Sequence, residues 1–242
     1  MRRISLIIAI FLALATVAEA RNYVVCIGIA DYPGTQNDLK LSAQDALTMK
    51  TLYDKNGDAV TEILINEQAT VEKAKYAIAD MFAKATADDA VILFFSGHGV
   101  PGGFVCYNGL LRYQDVTSAM MQSDAKNKVV FADACYSGKA RSGKNRNEDV
   151  SDTNVMFFLS SRTNEKSQEI RKDWTNSLFT AFVERGLRGG ADVDRNRTVT
   201  ARELFDFVSK GVAKSSWQKQ HPVMWGKFDN DMTLMKWKET KK

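Results

Sequence analysis

Ala90-Val91-Ile92-Leu93-Phe94-Phe95-Ser96-Gly97-His98-Gly99 is the stretch on which the fold turns. Its apolar run shows no polar alternation, and it ends in a glycine-flanked polar turn. A short run of this kind predicts a strand covered on both faces, as in the middle of a parallel sheet. Residues 128–132 repeat the pattern and run into Asp133-Ala134-Cys135-Tyr136-Ser137-Gly138. Residues 23–29, 60–65 and 155–159 read as further buried strands, and a last strand is expected near 232–234.

Helical periodicity fills the intervals. Residues 41–53 place Ala46, Met49, Leu52 and Tyr53 on one face, and Thr70 precedes a second helix with Val71, Ala74, Ile78, Met81 and Phe82 aligned. A short helix is expected at 115–121. Leu178, Phe179, Phe182 and Val183 mark another, and Leu204, Phe207, Val208 and Val212 one more. Asn108-Gly109 centres a hairpin over 104–111. Strands alternating with helices predict an α/β sandwich: one mostly parallel sheet flanked by helices, with its site at the carboxyl ends of the strands.

Composition agrees with one folded domain. The chain has 242 residues, 45% hydrophobic and 26% charged, which excludes disordered and collagen-like classes. A net charge of +4 without a basic stripe gives no reason to expect a nucleic-acid partner. Three Cys cannot pair completely within the chain, so no disulfide framework is expected.

The first twenty residues are set apart. Arg2 and Arg3 precede an apolar run over 4–17, and Ala18-Glu19-Ala20 has the small-x-small form of a cleavage site. This reads as a secretory signal peptide cut after Ala20; the run is short of the roughly 20 residues that span a bilayer. The expected organisation is a signal peptide at 1–20 and a single domain at 21–242. The protein is then exported, to the periplasm or the medium, with no membrane association after cleavage.

Two strand ends carry reactive side chains. His98 and Cys135 each lie just past a buried strand, with glycine close by. A thiolate at Cys135 can attack a carbonyl while His98 carries the proton to a leaving amine. The alternative makes Cys135 a core thiol and His98 a turn residue. No phosphate-binding glycine loop is present to support a nucleotide-binding protein.

These two blocks resemble the active-site blocks of the caspase and metacaspase superfamily of cysteine peptidases. The resemblance extends to Gly28-Ile29-Ala30-Asp31-Tyr32 with Leu41 and Gln44-Asp45-Ala46, and to Ser160-Ser161-Arg162 with Glu165, Ser167 and Glu169. It extends also to Leu178-Phe179-Thr180 and His221-Pro222-Val223. It implies a caspase-like three-layer sandwich and endopeptidase activity on polypeptides. By the same analogy the oxyanion hole uses the backbone N–H groups of Gly99 and Cys135. Asp45, Ser96 and Asp133 match metacaspase residues that bind a basic side chain. Two carboxylates in one pocket select Arg or Lys through charge-assisted hydrogen bonds. The alternatives are a solvated helix carboxylate at Asp45 and a catalytically silent caspase-fold binding module.

Two further segments stand out. Asp192-Val193-Asp194-Arg195-Asn196-Arg197-Thr198-Val199-Thr200-Ala201-Arg202-Glu203 spaces its oxygens like a calcium hand, but has Arg197 where such loops turn on glycine. Thr200 and Glu203 also form a capping box, so the segment reads first as a turn and a cap. No cofactor is expected, and calcium is left open. Of the acidic cluster that metacaspases use for calcium activation, only Asp115 has a counterpart. Residues 139–152 read as a long polar loop. Its basic residues Lys139, Arg141, Lys144 and Arg146 fit either a solvated connector or a self-cleavage segment.

Overall fold

A computed structural model describes residues 20–56, 58–134, 154–162, 165, 167 and 175–237. Six strands form the main sheet: β1 (Asn22–Gly28), β2 (Ala59–Ile65), β3 (Ala90–Gly97), β7 (Asn127–Ala134), β8 (Met156–Leu159) and β10 (Val223–Trp225). Their order is β10-β8-β7-β3-β1-β2. The first five in chain order pair in parallel, and β10 adds an antiparallel edge to β8. The mostly parallel α/β sheet expected from the sequence is therefore present.

The continuous apolar runs are explained by two covered faces. Along β1, Val25 and Ile27 enter one core and Val24 and Cys26 the other; along β3, Leu93 and Phe95 divide from Ile92 and Phe94 in the same way. Helices α2 (Val71–Phe82) and α3 (Tyr113–Gln122) cover the first face with Ala74, Ile78, Met81, Val116 and Met120. Helices α1 (Ser42–Asn56), α4 (Leu178–Arg185) and α5 (Ala201–Ser215) cover the second with Met49, Leu52, Phe179, Val183, Leu204 and Val208. Helices on both sides of one sheet make three layers. Among the described residues, no helix is long and apolar enough to cross a membrane.

Thr70 caps α2, its hydroxyl accepting the Lys73 N–H. Thr200 and Glu203 form the complete capping box of α5. The Asn108-Gly109 hairpin is β5 (Gly103–Cys106) with β6 (Gly109–Arg112), and β4 (Gly99–Val100) joins it as a third strand. The Asn108 side chain also accepts the Val71 N–H at 2.8 Å, tying the hairpin to the start of α2. The last strand, β11 (Thr233–Lys236), pairs with β9 (Thr198–Thr200) in a separate two-stranded sheet. Strands β4, β9 and β10 escape a sequence reading because each has only two or three residues, too few to show a period.

Candidate active site

The parallel register aligns the ends of the central strands. Gly28 of β1 stands beside Ser96 of β3, and Ser96 beside Asp133 of β7. A Cβ at Gly28 would come within 2.6 Å of the Ala46 Cβ, so the glycine lets α1 press against the strand ends. That contact carries Asp45, in the first turn of α1, to the same edge.

Asp45, Ser96 and Asp133 are thereby brought together, all three buried. Asp45 is 0% exposed, which overturns the reading of it as a solvated helix carboxylate. Its Oδ2 accepts the Ser96 hydroxyl at 2.9 Å and the Ser177 hydroxyl at 2.5 Å. Its Oδ1 accepts the Asn176 side-chain amide and the Ser177 N–H, each at 3.0 Å. Asp133 Oδ2 lies 2.5 Å from the same Ser177 hydroxyl and also accepts the Thr180 hydroxyl at 2.9 Å, while Oδ1 accepts from Ser167. Burial raises the Asp45 carboxyl to about 7, the Asp133 charge adds to the rise, and the bonds from Ser177, Asn176 and Ser96 oppose it.

Asn176 and Ser177 were not singled out in the sequence, and Thr180 only within Leu178-Phe179-Thr180 by resemblance. Ser177 occupies the N-cap position of α4 yet makes no side-chain capping bond. Its hydroxyl goes to the carboxylates instead, and the Thr180 N–H reaches Asp133 at 3.3 Å. The positive end of α4 thus faces two carboxylates, an orientation favourable to their charge. Gln220 was also missed. It donates to the Ser160 carbonyl at 2.9 Å and to Ser167 at 3.4 Å, linking β8 to the Asp133 cluster. Glu165 accepts the His221 N–H at 2.7 Å and lies 2.9 Å from its Nδ1, joining the segment after β8 to the start of β10.

His98 is partly buried in the turn between β3 and β4. Its Nε2 lies 2.7 Å from the Asn37 carbonyl. A carbonyl can only accept, so the hydrogen is on Nε2 and Nδ1 is left as the basic nitrogen. Asn37 gave no signal in sequence, because the group that acts is its backbone. Gly99 follows His98 as the first residue of β4, paired with Phe104. Strand β7 is described as far as Ala134; Cys135 lies outside the described residues, as do Lys139, Arg141, Lys144, Arg146 and residues 1–19.

The family model described as "Caspase domain" matches residues 21–232. The chain belongs to the caspase-domain peptidases. The sequence resemblance is thus supported, and the family is one of cysteine peptidases acting on polypeptides. Caspase-1 from Spodoptera frugiperda is 15% identical, with a TM-score of 0.67 and coverage of 92% of both chains. The structure of its pro form is 13% identical, with a TM-score of 0.64 over 89% of this chain and 95% of that one. A Geobacter sulfurreducens protein is 15% identical, with a TM-score of 0.66, covering 90% of this chain and all of its own. At these identities the likeness establishes the caspase-like fold. No curated protein sequence matches the chain.

The acidic segment after α4 forms the expected turn and cap, and its carboxylates also cluster. Asp192, Asp194 and Glu203 bring carboxylate oxygens within 4.8 Å of one another. Asp192 accepts the Asn196 and Arg197 N–H groups at 3.1 and 2.9 Å, and Glu203 accepts the Thr200 N–H at 3.0 Å. Arg197 itself adopts φ 65°, the left-handed conformation that glycine takes more easily. Asp115 pairs with Lys75 at 2.9 Å across α2 and α3.

Proposed function

We propose that the chain is an exported cysteine endopeptidase that hydrolyses peptide bonds after Arg or Lys, with Cys135 as nucleophile and His98 as base. The observation that carries this reading is the His98–Asn37 contact on a strand end in register with that of β7. Ser96 and Asp133 are paired, and the dyad residues each stand two positions further along. With Nε2 held by the carbonyl, Nδ1 can take the Cys135 proton and return it to the leaving amine. The N–H groups of Gly99 and Cys135 are assigned to the developing oxyanion.

The specificity follows from charge. Asp45 and Asp133 put two carboxylates at the edge where β3 and β7 end, and neither is matched there by a described cation in a hydrogen bond or ion pair. Both are buried with the Ser177 hydroxyl held between them, so a substrate cation would have to displace that hydroxyl to reach both. Arg and Lys supply that cation; a substrate Asp would add a third negative charge.

A peptide library incubated with protein starting at Arg21 tests the reading, with the Cys135→Ala protein as control. Cleavage after Arg or Lys and none after Asp is expected. Binding of library peptides without turnover would establish a silent binding module instead.

The basic loop at 139–152 is proposed as a self-processing segment, since it offers Lys139, Arg141, Lys144 and Arg146 to this specificity. Wild-type protein incubated alone should nick after one of these residues, and Cys135→Ala protein should stay whole. N-terminal sequencing of material from an exporting host reads both the nick and the mature end at Arg21. An active wild-type chain that never nicks would make the loop a connector.

A further inference from the structure

Tyr32 lies in the loop after β1 and is buried at 5% exposure. Its hydroxyl sits on the backbone of the His98 turn. It accepts the His98 N–H at 2.8 Å and donates to the Val105 carbonyl at 3.0 Å. The Val105 N–H in turn donates to the His98 carbonyl at 2.9 Å. The phenol therefore closes a ring of bonds around the His98 peptide unit. Burial pushes its ionisation up, which keeps the hydroxyl proton available to Val105.

The Tyr32 ring also lies against the imidazole, centroids 4.8 Å apart and tilted by 41°. Gly97 makes room for this arrangement: a Cβ there would stand 2.6 Å from the Tyr32 hydroxyl. The loop that carries Tyr32 is itself fixed. The Tyr32 N–H donates to Asp38 at 3.1 Å, and the Leu39 N–H to the Ala30 carbonyl at 2.8 Å. Asn66 accepts the N–H groups of Ala30 and Asp31 at 2.9 and 3.2 Å. This closed loop carries Asn37, whose carbonyl meets His98 Nε2. One short segment thus holds the backbone, one ring face and one ring nitrogen of His98.

We propose that Tyr32 is the positioning residue of the site: its hydroxyl fixes the His98 backbone and its ring fixes the imidazole plane, so that Nε2 stays on the Asn37 carbonyl and Nδ1 stays free. In this proposal Tyr32 acts through His98. The inference rests on His98 being the catalytic base, and the test separates the two.

Tyr32→Phe keeps the ring and deletes the hydroxyl, leaving the His98 N–H and the Val105 carbonyl without that partner. A small misplacement of a catalytic group is costly, so kcat should fall about tenfold with KM within about twofold. Tyr32→Leu removes the ring as well and should lower kcat by about 100-fold. The second readout is the nitrogen-15 NMR spectrum of the His98 ring in free protein. Wild type should show the tautomer protonated on Nε2, and Tyr32→Phe a mixture of tautomers. An unchanged kcat and unchanged ring shifts in Tyr32→Phe would overturn the proposal. A loss of kcat with ring shifts identical to wild type would overturn it too, because the effect would not pass through the imidazole. The NMR arm needs no turnover: an inactive wild-type protein would count against His98 as base, while the spectra still decide what Tyr32 does.

Discussion

Cys135→Ala and His98→Ala are each expected to lower peptide hydrolysis by a factor on the order of 10⁴ or more, because nucleophile and base act as one unit. Neither change should cost the fold. The His98 imidazole is partly buried and its bonded partner is a loop carbonyl, so truncation removes little core packing. Circular dichroism and melting temperature should stay close to wild type. Thiol labelling adds a check that needs no substrate. Cys26 and Cys106 are both buried, and burial raises the Cys26 thiol far above its usual value and the Cys106 thiol to about 12. They belong to cores on opposite faces of the sheet, which sets them apart from one another. Iodoacetamide should therefore modify one thiol quickly in wild type and none in Cys135→Ala. Substantial hydrolysis by purified Cys135→Ala protein would remove Cys135 from the mechanism.

Much of the fold was legible because it rests on long apolar runs. A strand covered on both faces must be apolar at every position, and β3 and β7 announce themselves in that way. The short strands did not, since β10 owes its place to pairing with β8 across the sheet edge and β9 to β11. The site divides along similar lines. Resemblance groups Asp45, Ser96 and Asp133, and register with close helix packing brings them together. What the sequence hid are groups whose role depends on distant chain. Ser177 looks like a helix cap until α4 is seen against α1 and β7, and it then joins carboxylates 132 and 44 residues away. Asn37 contributes a carbonyl that any residue could supply, and Tyr32 looks like core until its hydroxyl is found on the His98 turn.

The carboxylate pair should dominate specificity, and its effect should depend on pH in a definite direction. Removing one member of a buried charge-assisted contact costs on the order of 2–5 kcal/mol, so Asp133→Ala should lower kcat/KM for Arg substrates from about 30-fold upward. Asp45→Asn removes charge with little change of shape and should act mainly on KM. The Asp45 carboxyl is raised to about 7, first by burial and then by the Asp133 charge. The native state therefore keeps a proton that the unfolded chain loses near pH 4. In that window the folded protein binds more protons than the unfolded one, so this group lowers stability as pH rises from about 4 to 7. Below about pH 7 the arriving cation has to expel the proton, so affinity should rise with pH and level off above it. Agmatine binding to Cys135→Ala protein isolates this step from catalysis. Calorimetry at pH 6 in buffers of differing ionisation enthalpy should show close to one proton released per agmatine bound, and Asp45→Asn should abolish the release. Binding that is independent of pH from 5 to 8, or a preference for substrates with Asp before the scissile bond, would mean that the pair is not the cation site.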